Sequence, residues 1–239
     1  MSNIVGSDLA SNVDSNILEV RGLCKRYGEF ALSDVTFDVP GGYIMGFIGP
    51  NGAGKTTTIK LILNVIRGDG GSVRLFGRES AAAGNESIGV VLDAPLYVDD
   101  WSVSDAAAAI SPFYHNWDKR AFAGYVKRLG LEPKKKVREL SRGMKIKLQI
   151  AAALSHDARL LILDEPTSGL DPAARDEIGD LLREFVADEN KSVLFSTHIT
   201  SDLEKTADYI TFILNGRIVF TGAKDALTEK YARVTGGPE

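Results

Sequence analysis

YIMGFIGPNGAGKTTTIKLILNVI, residues 43–66, decides the fold. Its start, Tyr43–Ile48, is a short apolar run without helical period and reads as a buried strand. Its end, residues 57–66, carries apolar residues at helical spacing. Between them Gly49-Pro50-Asn51-Gly52-Ala53-Gly54-Lys55-Thr56 matches G-x-x-x-x-G-K-[ST] in full. Strand, glycine loop, helix is the order a phosphate-binding loop needs. The glycines let successive backbone N–H groups turn inward around phosphate oxygens. The helix that starts here aims its positive end at the same anion. In such a loop Lys55 reaches the β- and γ-phosphates and Thr56 ligates Mg²⁺; Thr57 completes the binding segment Gly49–Thr57. A chance match in a chain of this length has odds on the order of 1%, which sets aside a plain glycine-rich loop.

Working outward, LLILDEP at residues 160–166 ends an apolar strand on two carboxylates. The C-terminal end of a strand is where α/β sheets place their ligands. Asp164 is placed to hold the Mg²⁺ shell and Glu165 to polarise an attacking water. Acidic residues commonly end strands, so the run gains its meaning from the phosphate loop. His198 follows a further apolar strand, SVLFST. An isolated histidine there would merely cap a turn, but its sheet position puts it beside the terminal phosphate. Leu140-Ser141-Arg142-Gly143-Met144 stands just ahead of a helix that Ser141 can cap. A capped, glycine-containing helix start is again an anion site.

Residues 17–39 alternate apolar and polar, which predicts two short strands. Residues 72–92 predict further strands with a glycine-rich connection. From about 102 to 158 the sequence is rich in Ala and mixed charge and reads as a helical insert within an α/β protein. Helices are expected at 172–187 and 200–207. YITFIL and RIVFTG pair across Asn215-Gly216, a two-residue hairpin turn. Buried strands alternating with helices imply a parallel sheet covered on both faces.

The chain has 239 residues, 44% hydrophobic and 25% charged, with net charge −4. That suits one domain with a subdomain. The mild acidity argues against a nucleic-acid partner. Cys24, alone, cannot form an internal disulfide, and a lone Cys in a strand-like run is usually core filler. No run approaches the roughly 20 apolar residues of a membrane span. The first fifteen residues lack the features of a signal peptide and read as a polar tail. A soluble protein is expected.

The stretch SRGMKIKLQIAAALSHDARLLILDEPTSGLDP, residues 141–172, together with the phosphate loop, resembles the ATP-binding cassette (ABC) family. The resemblance covers roughly residues 17–225. It implies a P-loop NTPase: a RecA-like α/β core with a mostly parallel sheet, an N-terminal antiparallel β subdomain and an inserted α-helical subdomain. The nucleotide-binding domain would span 17–230, with the helical subdomain at about 94–158 and tails at 1–16 and 231–239. In proteins of this kind two such domains stack head to tail. ATP and Mg²⁺ would lie between Gly49–Thr57 of one subunit and Ser141 and Gly143 of the other. Glu165 would be the general base, His198 would touch the γ-phosphate, and Asp171 would cross the interface. Tyr27 falls where the family stacks an aromatic on adenine, or it is an ordinary strand aromatic. A separately encoded transmembrane permease is the implied partner, with this chain bound peripherally at the cytoplasmic face of the membrane. Leu96, Tyr97 and Trp101 either contact its cytoplasmic helix or pack locally. Lys134–Lys136 with Arg138 reads as a solvated loop face or as a lipid-headgroup contact. The alternative is a soluble ABC ATPase acting on a cytosolic machine such as the ribosome.

Two departures from the family pattern stand out. The usual signature is Leu-Ser-Gly-Gly-Gln, whereas this chain has Arg142 and Met144. LSRGM-type signatures resemble those of ATPases serving small bacterial exporters, which points to export. The second departure is Asp93, at the position where the family usually has Gln. A carboxylate can also ligate Mg²⁺, but it adds negative charge beside a triphosphate.

Overall fold

The computed structural model describes residues 16–80, 85–93 and 97–230. The alternation at the N-terminal end folds as the two strands expected, β1 (Asn16–Tyr27) and β2 (Phe30–Pro40), each long rather than short and paired as a hairpin. Gly22 in the middle of β1 does not end the strand. Its positive φ of 59° is absorbed as a bulge, where the register shifts between Val20 and Leu23. β1 also pairs with β4 (Gly70–Leu75), and β5 (Arg78–Glu79) completes a sheet ordered β2-β1-β4-β5.

The second sheet is ordered β10-β9-β3-β8-β7-β6. Its strands are β3 (Ile44–Ile48), β6 (Ile88–Val91), β7 (Leu160–Asp164), β8 (Ser192–Thr197), β9 (Tyr209–Leu214) and β10 (Arg217–Ala223). All neighbours are parallel except β9 and β10. That pair closes through Asn215 and Gly216, both at positive φ (48° and 73°), as the Asn-Gly turn requires.

Every residue of β7 and β8 is buried, because this sheet is covered on both faces. Period-2 alternation divides its side chains between two cores. Met45, Phe47, Leu160, Ile162 and Leu194 face the antiparallel sheet and α1 (Lys55–Ile62). Ile44, Leu161, Leu163, Val193 and Phe195 face α5 (Pro172–Val186), α6 (Thr200–Thr206) and the helical insert. A final helix, α7 (Lys224–Lys230), follows β10.

The insert holds α2 (Val103–Ile110), α3 (Lys119–Arg128) and α4 (Arg142–Ala153). Each starts on a side-chain cap: Ser102, Asp118 and Ser141 accept bonds from backbone N–H groups of the first turn. Two members of the basic run are partnered: Arg138 and Lys136 reach Asp100. That favours the solvated-loop reading of these side chains. Tyr97 and Trp101 pack against the helical core, and burial pushes the Tyr97 phenol well up from its usual value. Leu96 lies outside the described residues. Among the described residues, no helix is long and apolar enough to cross a membrane.

Candidate active site

Parallel pairing sets the site. Ile48 lies opposite Thr197, and Asp164 opposite Ser196. The C-terminal ends of β3, β7 and β8 therefore share one edge, and the residues that follow them meet there. Gly54 precedes α1 at φ 115°, a conformation L side chains rarely adopt. A Cβ there would also stand 2.8 Å from Leu32, so only glycine lets the loop pass over the antiparallel sheet.

Lys55 is 6% exposed, and its Nζ turns back into the loop, donating to Gly49 O (2.7 Å) and Pro50 O (3.3 Å). It also stands 3.1 Å from Glu165 Oε1, a charge contact without hydrogen-bond alignment. Glu165 Oε2 lies 2.8 Å from His198 Nδ1. Lys55, Glu165 and His198 thus form one chain of side chains across the ends of three strands. Glu165 itself adopts φ 53°, uncommon for a residue with a Cβ.

Asp164 is 3% exposed and accepts from two hydroxyls: Thr56 Oγ1 at 2.7 Å and Ser196 Oγ at 2.6 Å. Ser196 Oγ in turn accepts from the backbone N–H of Glu165 (3.0 Å). One serine therefore orients both carboxylate residues. These groups border an open cleft of about 540 Å³ lined by Phe30, Asn51, Gly52, Gly54, Lys55, Thr56, Thr57, Asp93 and Glu165.

Tyr27 is outside that lining. It is 48% exposed at the end of β1, with Lys25 Nζ 5.3 Å from its ring centre, while Phe30, its partner across the hairpin, faces the cleft. Ser141 caps α4 by accepting from Met144 N–H (3.2 Å), and Asp171 caps α5 by accepting from Ala174 N–H (2.9 Å). A Cβ on Gly143 would stand 2.8 Å from Leu170, so the start of α4 sits close against the segment leading to Asp171. In this single chain, neither Ser141 nor Gly143 lines the phosphate cleft.

The model of the ABC transporter family matches residues 32–168. The chain belongs to the ABC transporter family. Lantibiotic transport ATP-binding protein SrtF of Streptococcus pyogenes is 33% identical over 206 residues, 85% of this chain and 89% of that protein. Nod factor export ATP-binding protein I of Burkholderia orbicola is 36% identical over 221 residues, 89% of this chain and 72% of that protein. A solved structure of the ATP-binding subunit of an ABC transporter superposes with a TM-score of 0.81 at 28% identity, covering 90% of this chain and 92% of that one. As an ABC transporter ATP-binding protein, the chain binds and hydrolyses ATP.

Three residues near this ABC site were not legible as site residues from the sequence. Ser196 lies inside SVLFST, two residues before His198, where a hydroxyl looks like ordinary strand. Phe30 lies three residues from Tyr27 on the same hairpin. Gln149 was the most visible, as a polar residue on the apolar stripe Ile146, Ile150 and Ala153. Its side chain bonds the backbone of Leu92, next to Asp93.

Proposed function

We propose that this chain powers a membrane-spanning permease that moves its cargo outward, acting as one of two stacked subunits that share their ATP. The names of the relatives, lantibiotic transport and Nod factor export, support transport and its direction. Export also agrees with the LSRGM-type signature. No nucleic-acid partner is part of this reading. The chain itself would sit at the cytoplasmic membrane face through its permease.

The observation that carries the mechanism is Glu165 Oε1: buried, without a hydrogen bond, and beside Lys55 at the cleft. Its partner is the Lys55 ammonium; once Lys55 turns to phosphate, that oxygen is free to accept a proton from a water in the cleft. In the reaction, a water oxygen attacks the γ-phosphorus while Glu165 takes the water's proton. The bond from the γ-phosphorus to the bridging oxygen breaks, and ADP departs. His198 holds Glu165 in orientation through Nδ1. Lys55, which now satisfies itself on loop carbonyls, would turn to the β- and γ-phosphates.

Mg²⁺ fits the donor set. Among the described residues no group of three or more His, Cys, Asp or Glu side chains could hold a metal alone. The Thr56 hydroxyl and the Asp164 carboxylate offer the few oxygens that Mg²⁺ takes from protein when phosphates and waters supply the rest. When bound, it would neutralise charge developing on the phosphate oxygens. In the pair, Ser141 and Gly143 of the second subunit would close over the nucleotide, and Asp171 would reach across.

Glu165→Gln tests this reading. ATP should still bind, hydrolysis should fall by about 10²–10⁴-fold, and an ATP-dependent dimer should accumulate, as read by phosphate release and light scattering. Hydrolysis at the original rate would remove Glu165 as the base. Affinity capture of that variant from detergent-solubilised membranes should bring down a spanning protein; ribosomes in its place would favour a soluble role.

A further inference from the structure

The two departures from the family pattern, Asp93 and Arg142, touch. They stand 49 positions apart, and the Arg142 guanidinium pairs with the Asp93 carboxylate. Both side chains are more than half exposed (51% and 58%). The Arg142 side chain also runs past Gly169, whose Cβ position would lie 3.6 Å from Nη1. Arg142 is the first residue of α4, directly after the cap Ser141.

Two turns further along the same helix, Gln149 is 4% exposed. Its amide makes both of its bonds to one residue. Leu92 N–H donates to Oε1 at 3.1 Å, and Nε2 donates to Leu92 O at 3.1 Å. A side chain here satisfies the first backbone unit beyond β6. Helix α4 thus grips two consecutive residues, 92 and 93, in different ways. At Leu92 the grip comes from a buried side chain onto partly buried backbone; breaking it leaves two polar groups without their partner. At Asp93 it is an exposed ion pair, weakened by solvent and salt.

Asp93 also lines the cleft with Lys55 and Thr56. A carboxylate that shares its charge with the Arg142 guanidinium has less to give a cation in the cleft, so the two compete for Asp93. We propose that α4 holds the Asp93 segment by a fixed pivot at Gln149 and a releasable latch at Arg142, and that Mg²⁺-ATP opens the latch by drawing Asp93 toward the cleft. Arg142 and Gln149 are positioning residues, because both act through the Asp93 segment. The proposal rests on the cleft being the Mg²⁺-ATP site. It makes the two departures work as a pair, the arginine at 142 holding the acid at 93. It also gives the start of α4, the part offered to a second subunit, a direct report of the nucleotide in its own chain.

The test is titration of a fluorescent ATP analogue into the full chain, once with Mg²⁺ and once with a chelator. Arg142→Ala should tighten binding about threefold with Mg²⁺ and leave it unchanged without. Arg142→Lys should stay near the original. In an Asp93→Asn background, Arg142→Ala should have no effect. An unchanged affinity with Mg²⁺, or an equal shift in both conditions, overturns the latch. Lys55→Ala is the separate control: if it binds as tightly as the parent, the cleft reading fails. For the pivot, Gln149→Leu should speed deuterium exchange at Leu92 N–H by about tenfold or more, with or without nucleotide, whereas Arg142→Ala should not. Should Gln149→Leu fail to fold, Gln149→Asn, whose amide is too short to reach, gives the same reading. Exchange at the parental rate in the folded variant overturns the pivot.

Discussion

Two carboxylate–cation pairs border the same cleft, and they are held in opposite ways. Lys55 and Glu165 are 6% and 15% exposed; Lys55 opens α1 and Glu165 follows β7, with β8 between β7 and the strand that leads to Lys55. His198 and Ser196 fix Glu165 from two further directions. Arg142 and Asp93 are more than half exposed, and the long Arg142 side chain is free to swing. The difference teaches where rigidity is needed. A group that moves a proton must be placed within tenths of an ångström, so the sheet over-determines it. A group that reports occupancy must be able to let go.

Breaking the rigid pair should have the largest effect. Lys55→Ala should weaken ATP binding by about 100-fold, since charge-assisted bonds to phosphate are lost, measured by calorimetric titration. A loss below about threefold would put both pairs on the same footing. Ser196→Ala should come next. It takes a donor from Asp164 and an acceptor from the Glu165 N–H, so hydrolysis should drop about tenfold and stability by about 1–2 kcal/mol. Steady-state rates and denaturant unfolding read the two effects separately.

Gln149→Leu sharpens the contrast on the other side. It should cost about 2 kcal/mol of stability by leaving Leu92 N–H and C=O unpaired, while Arg142→Ala should cost less than about 0.5 kcal/mol. Equal costs in urea unfolding would erase the distinction between pivot and latch. The smallest effect concerns His156, just beyond α4. Its ring stacks on Tyr114 at 3.8 Å between centroids, and burial lowers its pKa from the usual 6.5. The folded protein favours the neutral ring, whereas the unfolded chain takes a proton at the ordinary value. Stability should therefore fall as pH drops through about 6.5. His156→Gln should flatten that part of the pH–stability curve.

The rigid half was legible in the sequence because its signals are local. A phosphate loop is contiguous, as are LLILDEP and the strand before His198, and parallel sheets bring the ends of their strands together by rule. The Asn-Gly hairpin was legible for the same reason. The hairpin β1–β2 fills the 17–39 pattern as two strands, with a bulge at Gly22 that the alternation does not show. Ser196 and Phe30 escaped because strand hydroxyls and aromatics look alike wherever they point. Asp93 and Arg142 were each conspicuous, yet their contact was not readable. Nothing in a spacing of 49 residues encodes it; only the packing of α4 against β6 does.

The left-handed backbone at Glu165 carries one more consequence. A residue with a Cβ held at φ 53° costs roughly 1–3 kcal/mol that glycine or asparagine would largely avoid. At this position, selection for durability and selection for turnover therefore pull in opposite directions. A lineage freed from hydrolysing ATP would be expected to drift toward glycine or asparagine here, and to gain heat resistance as it lost its motor.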